Sequence, residues 1–224
     1  MNIKTQYDVI GKDYYKIQET FFSKIRDSSI DVIKSFLPNL SGKRVLDLGC
    51  GYGRAIKLYE SMGAKDVFGV DTSRSLIEEC KKYVTKPQNL FVRDMEKLSF
   101  KNNYFDVVVG RFSLHYLKNF KSAYKEISRV LKKNGQLVLI VHHPIYDLLR
   151  KGNKIYNKQE LIVGKLFDNK VQIVFPSHTL TDYFSKDLFE YFYLCGFVEE
   201  KCLEEYNHNG YITPTFMGFK AIKK

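Results

Sequence analysis

The stretch that most constrains this 224-residue chain is VLDLGCGYGR, residues 45 to 54. Val45-Leu46-Asp47-Leu48 has the character of a buried strand. Gly49, Gly51 and Gly53 interrupt it, and RAIKLYESMG then takes up helical spacing. A strand that ends in a glycine turn and restarts as a helix leaves backbone N–H groups free beside a helix N-terminus, a seat for a nucleotide-bearing ligand. The spacing is G-x-G-x-G. A dinucleotide fingerprint needs G-x-G-x-x-G, and Arg54 stands where its third glycine belongs. Space for a pyrophosphate is therefore missing, which disfavours a nicotinamide dinucleotide and with it a dehydrogenase.

Around this turn, apolar runs alternate with amphipathic stretches, the pattern of an α/β domain with a parallel sheet. Strands are expected at 44–49, 66–71, 89–94, 104–110 and 135–144, with helices at 54–62, 73–84 and 119–131 between them. The spacing before the first strand predicts one amphipathic helix over 20–37, ended at Pro38. The region 145–180 loses periodicity and reads as an insertion covering the sheet edge. A helix over 185–196, stopped by Gly196, and two strands, FVEEKCLEEY and TFMGFKAI, complete the chain. The expected organisation is an N-terminal helical cap over 1–40 and a core over 41–224 that carries the 145–180 insertion as a lid.

The longest aliphatic stretch, LVLIV at 137–141, is far short of the ~20 residues of a spanning helix. MNIKTQYDVIGKDYY lacks the apolar core of a signal peptide, so a cytoplasmic protein without membrane partners is expected. Cys50, Cys80, Cys195 and Cys202 form no C-x-x-C pair and no zinc spacing, which predicts free thiols and no metal. The net charge of +11 is uneven: residues 111–180 carry 13 basic and 4 acidic side chains. A basic rim for an anionic substrate, an RNA contact and an ordinary solvated lysine face all fit that excess, and the scatter of the lysines makes nucleic acid the weaker choice.

Ligands of open parallel sheets bind at the carboxyl ends of the strands. The first strand offers Asp47, Gly49, Gly51 and Gly53 there. The second ends at Asp71, a carboxylate suited to both hydroxyls of a ribose. The third ends at Asp94-Met95, a carboxylate for an exocyclic amine beside a polarisable side chain for an adenine ring. Three consecutive strand ends thus provide for a backbone, a ribose and an adenine.

These residues resemble the class I S-adenosylmethionine-dependent methyltransferases, of the small-molecule, methyltransferase-11-like type. VLDLGCGYG is similar to that family's first motif and VFGVDTS to its ribose strand. VRDMEKLSFKNNYFDVVVGRFSLHYL is similar to its acidic adenine motif and the following strand, and EISRVLKKNGQLVLIVHHP to the elements that close the core. The resemblance is strong over about 43–144 and looser to the C-terminus. It implies a Rossmann-like, seven-stranded, mostly parallel sheet with helices on both faces and the last strand antiparallel. It implies S-adenosylmethionine as cofactor, with the glycine turn at the methionine moiety, Asp71 at the ribose and Asp94-Met95 at the adenine. The candidate cofactor residues are Tyr14, Asp47, Gly49, Cys50, Gly51, Tyr52, Asp71, Thr72, Ser73, Asp94, Met95, Arg111 and Phe112.

Methyl transfer from a sulfonium is an in-line displacement in which alignment and water exclusion do most of the work. A base is needed only where the acceptor must lose a proton. His115, after the fourth strand, is the first candidate and His143 the second. His142, Tyr116, His178 and Tyr15 are candidates for the substrate side. Tyr14 or Tyr15, in YDVIGKDYYKI, suits a cofactor lid. The expected acceptor is the O or N of a small organic molecule, and the protein itself is expected as a monomer or homodimer. RNA or protein methylation and a non-catalytic regulatory protein are the alternatives; the fourth strand is followed by GRFSLH and lacks the Asn/Asp-Pro-Pro-aromatic motif of base-amine methylation.

Overall fold

A computed structural model describes residues 3, 6–10, 13–168, 170–201, 207–208 and 211–224. Three helices come first: α1 (Gln6–Ile10), α2 (Asp13–Phe22) and α3 (Ser28–Phe36). Then follow β1 (Arg44–Leu48), α4 (Arg54–Ser61), β2 (Asp66–Asp71), α5 (Arg74–Cys80), β3 (Leu90–Val92), β4 (Phe105–Arg111), α6 (Lys121–Val130) and β5 (Leu131–His142). A short helix α7 (Pro144–Arg150) leads into the hairpin β6 (Leu161–Leu166) and β7 (Val171–Pro176). The chain closes with α8 (Leu180–Tyr183), α9 (Lys186–Tyr191), β8 (Phe192–Glu199), the two-residue strands β9 (Asn207–His208) and β10 (Tyr211–Ile212), and β11 (Phe216–Lys223).

Seven strands form one sheet in the order β3-β2-β1-β4-β5-β11-β8. β1 pairs in parallel with β2 and β4, and the final strand β11 runs antiparallel between β5 and β8. The seven-stranded sheet with its last strand antiparallel is thus the one the resemblance implies. Alternation along the strands sorts the core into two layers. Val45, Val107, Val109, Val138 and Ile140 face Ile33, Ile56, Tyr59 and Ile77 of α3, α4 and α5. Leu46, Leu48, Val108, Leu137, Leu139 and Val141 face Tyr124, Ile127 and Leu188 of α6 and α9. Each enclosed Leu or Ile contributes roughly 1.5–3 kcal/mol of burial free energy. Strand order reverses between β1 and β4, so the crevice opens above Asp47 and the glycine turn.

Three expectations change. The helix expected over 20–37 is broken: α2 ends at Phe22 and α3 starts at Ser28. The segment between carries Asp27, a buried ion-pair partner that a continuous amphipathic helix would leave elsewhere. The helix expected over 185–196 stops at Tyr191, and Phe192–Glu199 is an edge strand paired to β11 with an irregularity at Lys220/Ala221. Only Phe192 of β8 is buried, so the strand shows no clean two-residue alternation. The insertion is not irregular either. It holds the β6–β7 hairpin, joined to the N-terminal helices by Gln6, whose side-chain amide donates to Val174 O (3.0 Å) and accepts from Val174 N (2.8 Å) like an extra strand residue. A third cluster, with Tyr14, Tyr52, Leu76, Ile162, Ile173 and Phe175, packs helices and hairpin together over the sheet. Residues 202–206 of the expected strand FVEEKCLEEY, Cys202 among them, lie outside the described residues.

Candidate active site

A cavity of about 410 Å³ lies at the switch point, between the carboxyl ends of β1, β2 and β4 and the layer of α1, α2 and the hairpin. The glycine turn is its floor. Gly49, Gly51 and Gly53 have φ of 69°, 55° and 90°, the left-handed region that only glycine enters freely. Two of them are also held by packing. A Cβ on Gly49 would stand 2.4 Å from Ser113 Cβ, and one on Gly53 2.5 Å from Cys80 Sγ. A Cβ on Gly51 would meet nothing within 4 Å. What keeps that position bare is space on the cavity side.

The turn is clasped by a carboxylate. Asp71 accepts from Gly51 N at 2.9 Å through Oδ2 and from Ser73 N at 2.8 Å through Oδ1. Burial raises its pKa while those amides lower it. Asp47 is 2% exposed, and its Oδ2 has no hydrogen-bond partner among the described residues. Burial pushes its carboxyl up to about 7, against the pull of Arg111 and with some help from Asp71. Arg111 donates to Asp27 Oδ2 at 2.9 Å and to Ser29 at 3.0 Å, and Arg54 approaches the same Asp27 oxygen at 3.5 Å. Glu19 of α2 accepts from Tyr52 (3.0 Å) and Arg54 (2.9 Å), so the broken helix is pinned to the turn by charge. Asp27 and Glu19 went unseen in the sequence, where acidic residues in amphipathic helices read as solvent-facing.

Tyr14, Asp47, Gly49, Cys50, Gly51, Tyr52, Asp71, Thr72, Asp94, Met95, Arg111 and Phe112 all line the cavity, as do Tyr116 and His142. Burial raises the Tyr14 phenol to about 12. The Cys50 thiol is pushed up by its contact with Cys80 and by burial, which keeps it a neutral wall residue; Cys50, Cys80 and Cys195 are free. Phe112 holds φ 51°, an uncommon strain for an aromatic residue and one that functional walls accumulate.

Other candidates lie elsewhere. Ser73 is fully buried outside the wall, capping α5 through Leu76 N and donating to Asp8 at 2.7 Å, so it anchors α1. Tyr15 does not line the cavity; it is half-buried between Tyr52 and Tyr83, with ring centres 4.9 and 5.0 Å away. His178 is buried against Phe120 and hydrogen-bonds His115 O at 3.0 Å. His143 caps α7 by accepting from Ile145 N at 3.2 Å and meets Glu199 at 2.8 Å on the far side of β5. His115 is wholly enclosed behind the wall, and burial, then the charges of His142, His178 and Arg150, drive its pKa well down. Of these histidines it is His142 that lines the cavity, stacked on His115 with ring centres 4.1 Å apart. Strand alternation required one of His142 and His143 to face away. The packing of β5 on β11 and α7 decided which.

Residues 46–139 match the family described as a methyltransferase domain. Over 127 residues the chain is 36% identical to a protein of Haemophilus influenzae; this covers 54% of the chain and spans half (50%) of that relative's length. Over 172 residues it is 31% identical to the demethylmenaquinone methyltransferase of Staphylococcus epidermidis, covering 74% of this chain and 68% of that one. The chain belongs to the class I S-adenosylmethionine-dependent methyltransferases. In fold, the methyltransferase superposes on the S-adenosylmethionine dependent methyltransferase from Mesorhizobium loti with a TM-score of 0.73 over 88% of this chain and 98% of that one, at 20% identity. Its cofactor is S-adenosylmethionine, and the wall fits that group. An unpartnered, buried carboxylate oxygen at Asp47 suits an ammonium, and the bare space at Gly51 suits a ligand lying against the backbone. Among the described residues no helix is long and apolar enough to cross a membrane, and no cluster of His, Cys, Asp or Glu has the makings of a metal site.

Proposed function

We propose that this methyltransferase methylates a hydroxyl or amine of a small organic molecule. The observation that carries the reading is the cavity itself. Its volume of about 410 Å³ falls within the roughly 300–1,000 Å³ of small-molecule sites. Its far end is walled by Tyr7, Tyr116, His142, Tyr146, Phe167 and Ile173. An RNA or protein acceptor needs an open face, and here helices and hairpin stand over the strand ends. The similarity to a methyltransferase named for demethylmenaquinone supports a small, ring-bearing acceptor.

In this reading Asp47 receives the cofactor's ammonium, Asp71 its ribose hydroxyls and Asp94 its adenine amine, with Met95 against the ring. When bound, S-adenosylmethionine supplies an electrophilic methyl carbon. The chain's own part is to orient the acceptor, exclude water and take a proton. His142 Nδ1 is enclosed and lies 3.6 Å from Oδ1 of Asp147, itself 1% exposed, which leaves Nε2 on the open side of the ring. The Asp147 carboxylate stands beside that inner nitrogen without a hydrogen bond to it, and Nε2 accepts the proton of a hydroxyl acceptor. An amine arriving neutral needs no such help.

Calorimetry tests the reading. Purified protein should bind S-adenosylmethionine and S-adenosylhomocysteine in the micromolar range, about −7 to −8 kcal/mol. Transfer of labelled methyl from S-adenosylmethionine to phenols and amines should exceed transfer to bulk RNA or protein. Heat with NADH alone, or labelling confined to macromolecules, would overturn it.

A further inference from the structure

The acceptor end of the cavity contains a charge that no described residue answers. Arg150, the last residue of α7, lines the cavity and is only partly exposed. It has no hydrogen-bond acceptor and no carboxylate partner among the described residues. Its guanidinium rests instead on two rings, 5.0 Å from the centre of Tyr146 and 5.6 Å from that of Phe175. Three other cavity arginines are paired: Arg111 with Asp27, Arg54 with Glu19 and Asp27, and Arg26 with Asp31; Arg93 lies away from this end, beside Asp94. A guanidinium offers five donors in a fixed fork that matches a carboxylate in two parallel hydrogen bonds. Two aromatic faces fix the plane of that fork without using its donors.

The position of Arg150 relative to His142 sets the size of what it can hold. Both touch the Phe175 ring, at 5.6 Å for the guanidinium carbon and 4.6 Å for the imidazole centre, so their separation cannot exceed the sum of those distances. That ceiling admits one benzene ring whose anion and nucleophile stand meta to each other; a para pair is too long to reach both side chains. We propose that the acceptor is a ring-bearing monoanion whose carboxylate is held by Arg150, meta to the hydroxyl or amine presented to His142. The inference rests on the small-molecule reading above and adds the charge of the acceptor.

The probes are 3-hydroxybenzoate, its neutral isostere 3-hydroxybenzamide, and 3-hydroxyphenyl phosphate, titrated into protein saturated with S-adenosylhomocysteine. The wild type should bind the benzoate at least tenfold more tightly than the benzamide. In Arg150→Gln that preference should disappear, and Arg150→Lys, which keeps the charge and loses the fork, should retain only part of it. Both variants should bind S-adenosylhomocysteine within a factor of two of wild type, which shows that they are folded. Equal affinity for benzoate and benzamide, no binding of the benzoate at millimolar concentration, or a preference that survives Arg150→Gln each overturns the proposal. Tighter binding of the phosphate than of the benzoate overturns the carboxylate assignment. Failure of the wild type to bind S-adenosylhomocysteine would strike the cofactor reading instead, so the two failures are distinguishable.

Discussion

The two ends of the cavity are built by different means. The cofactor end is backbone: three glycines in left-handed conformations, two carboxylates at successive strand ends, and amides of the turn bonded to Asp71. The acceptor end is side chain: rings from α1, the turn after β4, α7 and the hairpin, gathered from residues 7 to 167. A site made of backbone is fixed by local sequence and leaves a motif. A site made of converging side chains is fixed by tertiary packing and leaves almost none.

The largest test of that contrast is Gly49→Ala. The added methyl would overlap Ser113 Cβ at 2.4 Å at a φ of 69°. Stability should fall by about 2–4 kcal/mol, from overpacking and backbone strain together. Thermal melts would read it, and Ser113→Gly in the same chain should restore the part due to overlap. Full restoration would show that the backbone is unstrained there.

At the other end, His142→Gln should lower single-turnover methylation of a hydroxyl acceptor by about 100-fold while cofactor affinity stays within about threefold. His115→Gln, behind the wall, should cost less than about tenfold by the same measurement. Reversed magnitudes would return the proton to His115.

The legibility of the molecule in its sequence follows this division. Asp47, Asp71 and Asp94-Met95 could be placed because each ends a strand whose apolar run is unmistakable. His142 could not be chosen over His143, because parity along β5 says only that they diverge. Asp27 was hidden in an apparent helix: its two arginine partners are 27 and 84 residues away, and no local pattern registers them. The first part of β8, residues 192–196, reads as helix in the sequence because its exposed edge position removes the alternation that marks strands, and Gly196 imitates a helix stop.

A smaller effect is expected from Asp71→Ala, about 1.5–3 kcal/mol of cofactor affinity by calorimetry, the scale of a charged hydrogen bond. A loss under about 0.5 kcal/mol would show that the backbone turn holds the ligand without its clasp.

The smallest prediction concerns pH. Asp47 titrates near 7 in the free protein, and a cationic amine selects its ionised form. S-adenosylhomocysteine should therefore bind several-fold more weakly at pH 6 than at pH 7.5, and Asp47→Asn should flatten that dependence. The stability sign is opposite. A carboxyl raised on folding keeps its proton longer in the native state, so its contribution falls as pH rises from the unfolded value toward 7. Above pH 7, Asp47→Asn should raise the melting temperature of the ligand-free protein while weakening binding. Parallel losses in both would mean that the carboxylate is structural.

Gly51 gives the contrast its plainest practical form. Unlike its neighbours in the turn, it is hemmed in by no protein atom, and the volume beyond its Cα belongs to whatever the protein holds. A methyl added at that position would be a tethered inhibitor, present at a high and constant effective concentration that no excess of cofactor could dilute. Apart from the modest cost of a left-handed alanine, the chain would fold much as before, already blocked.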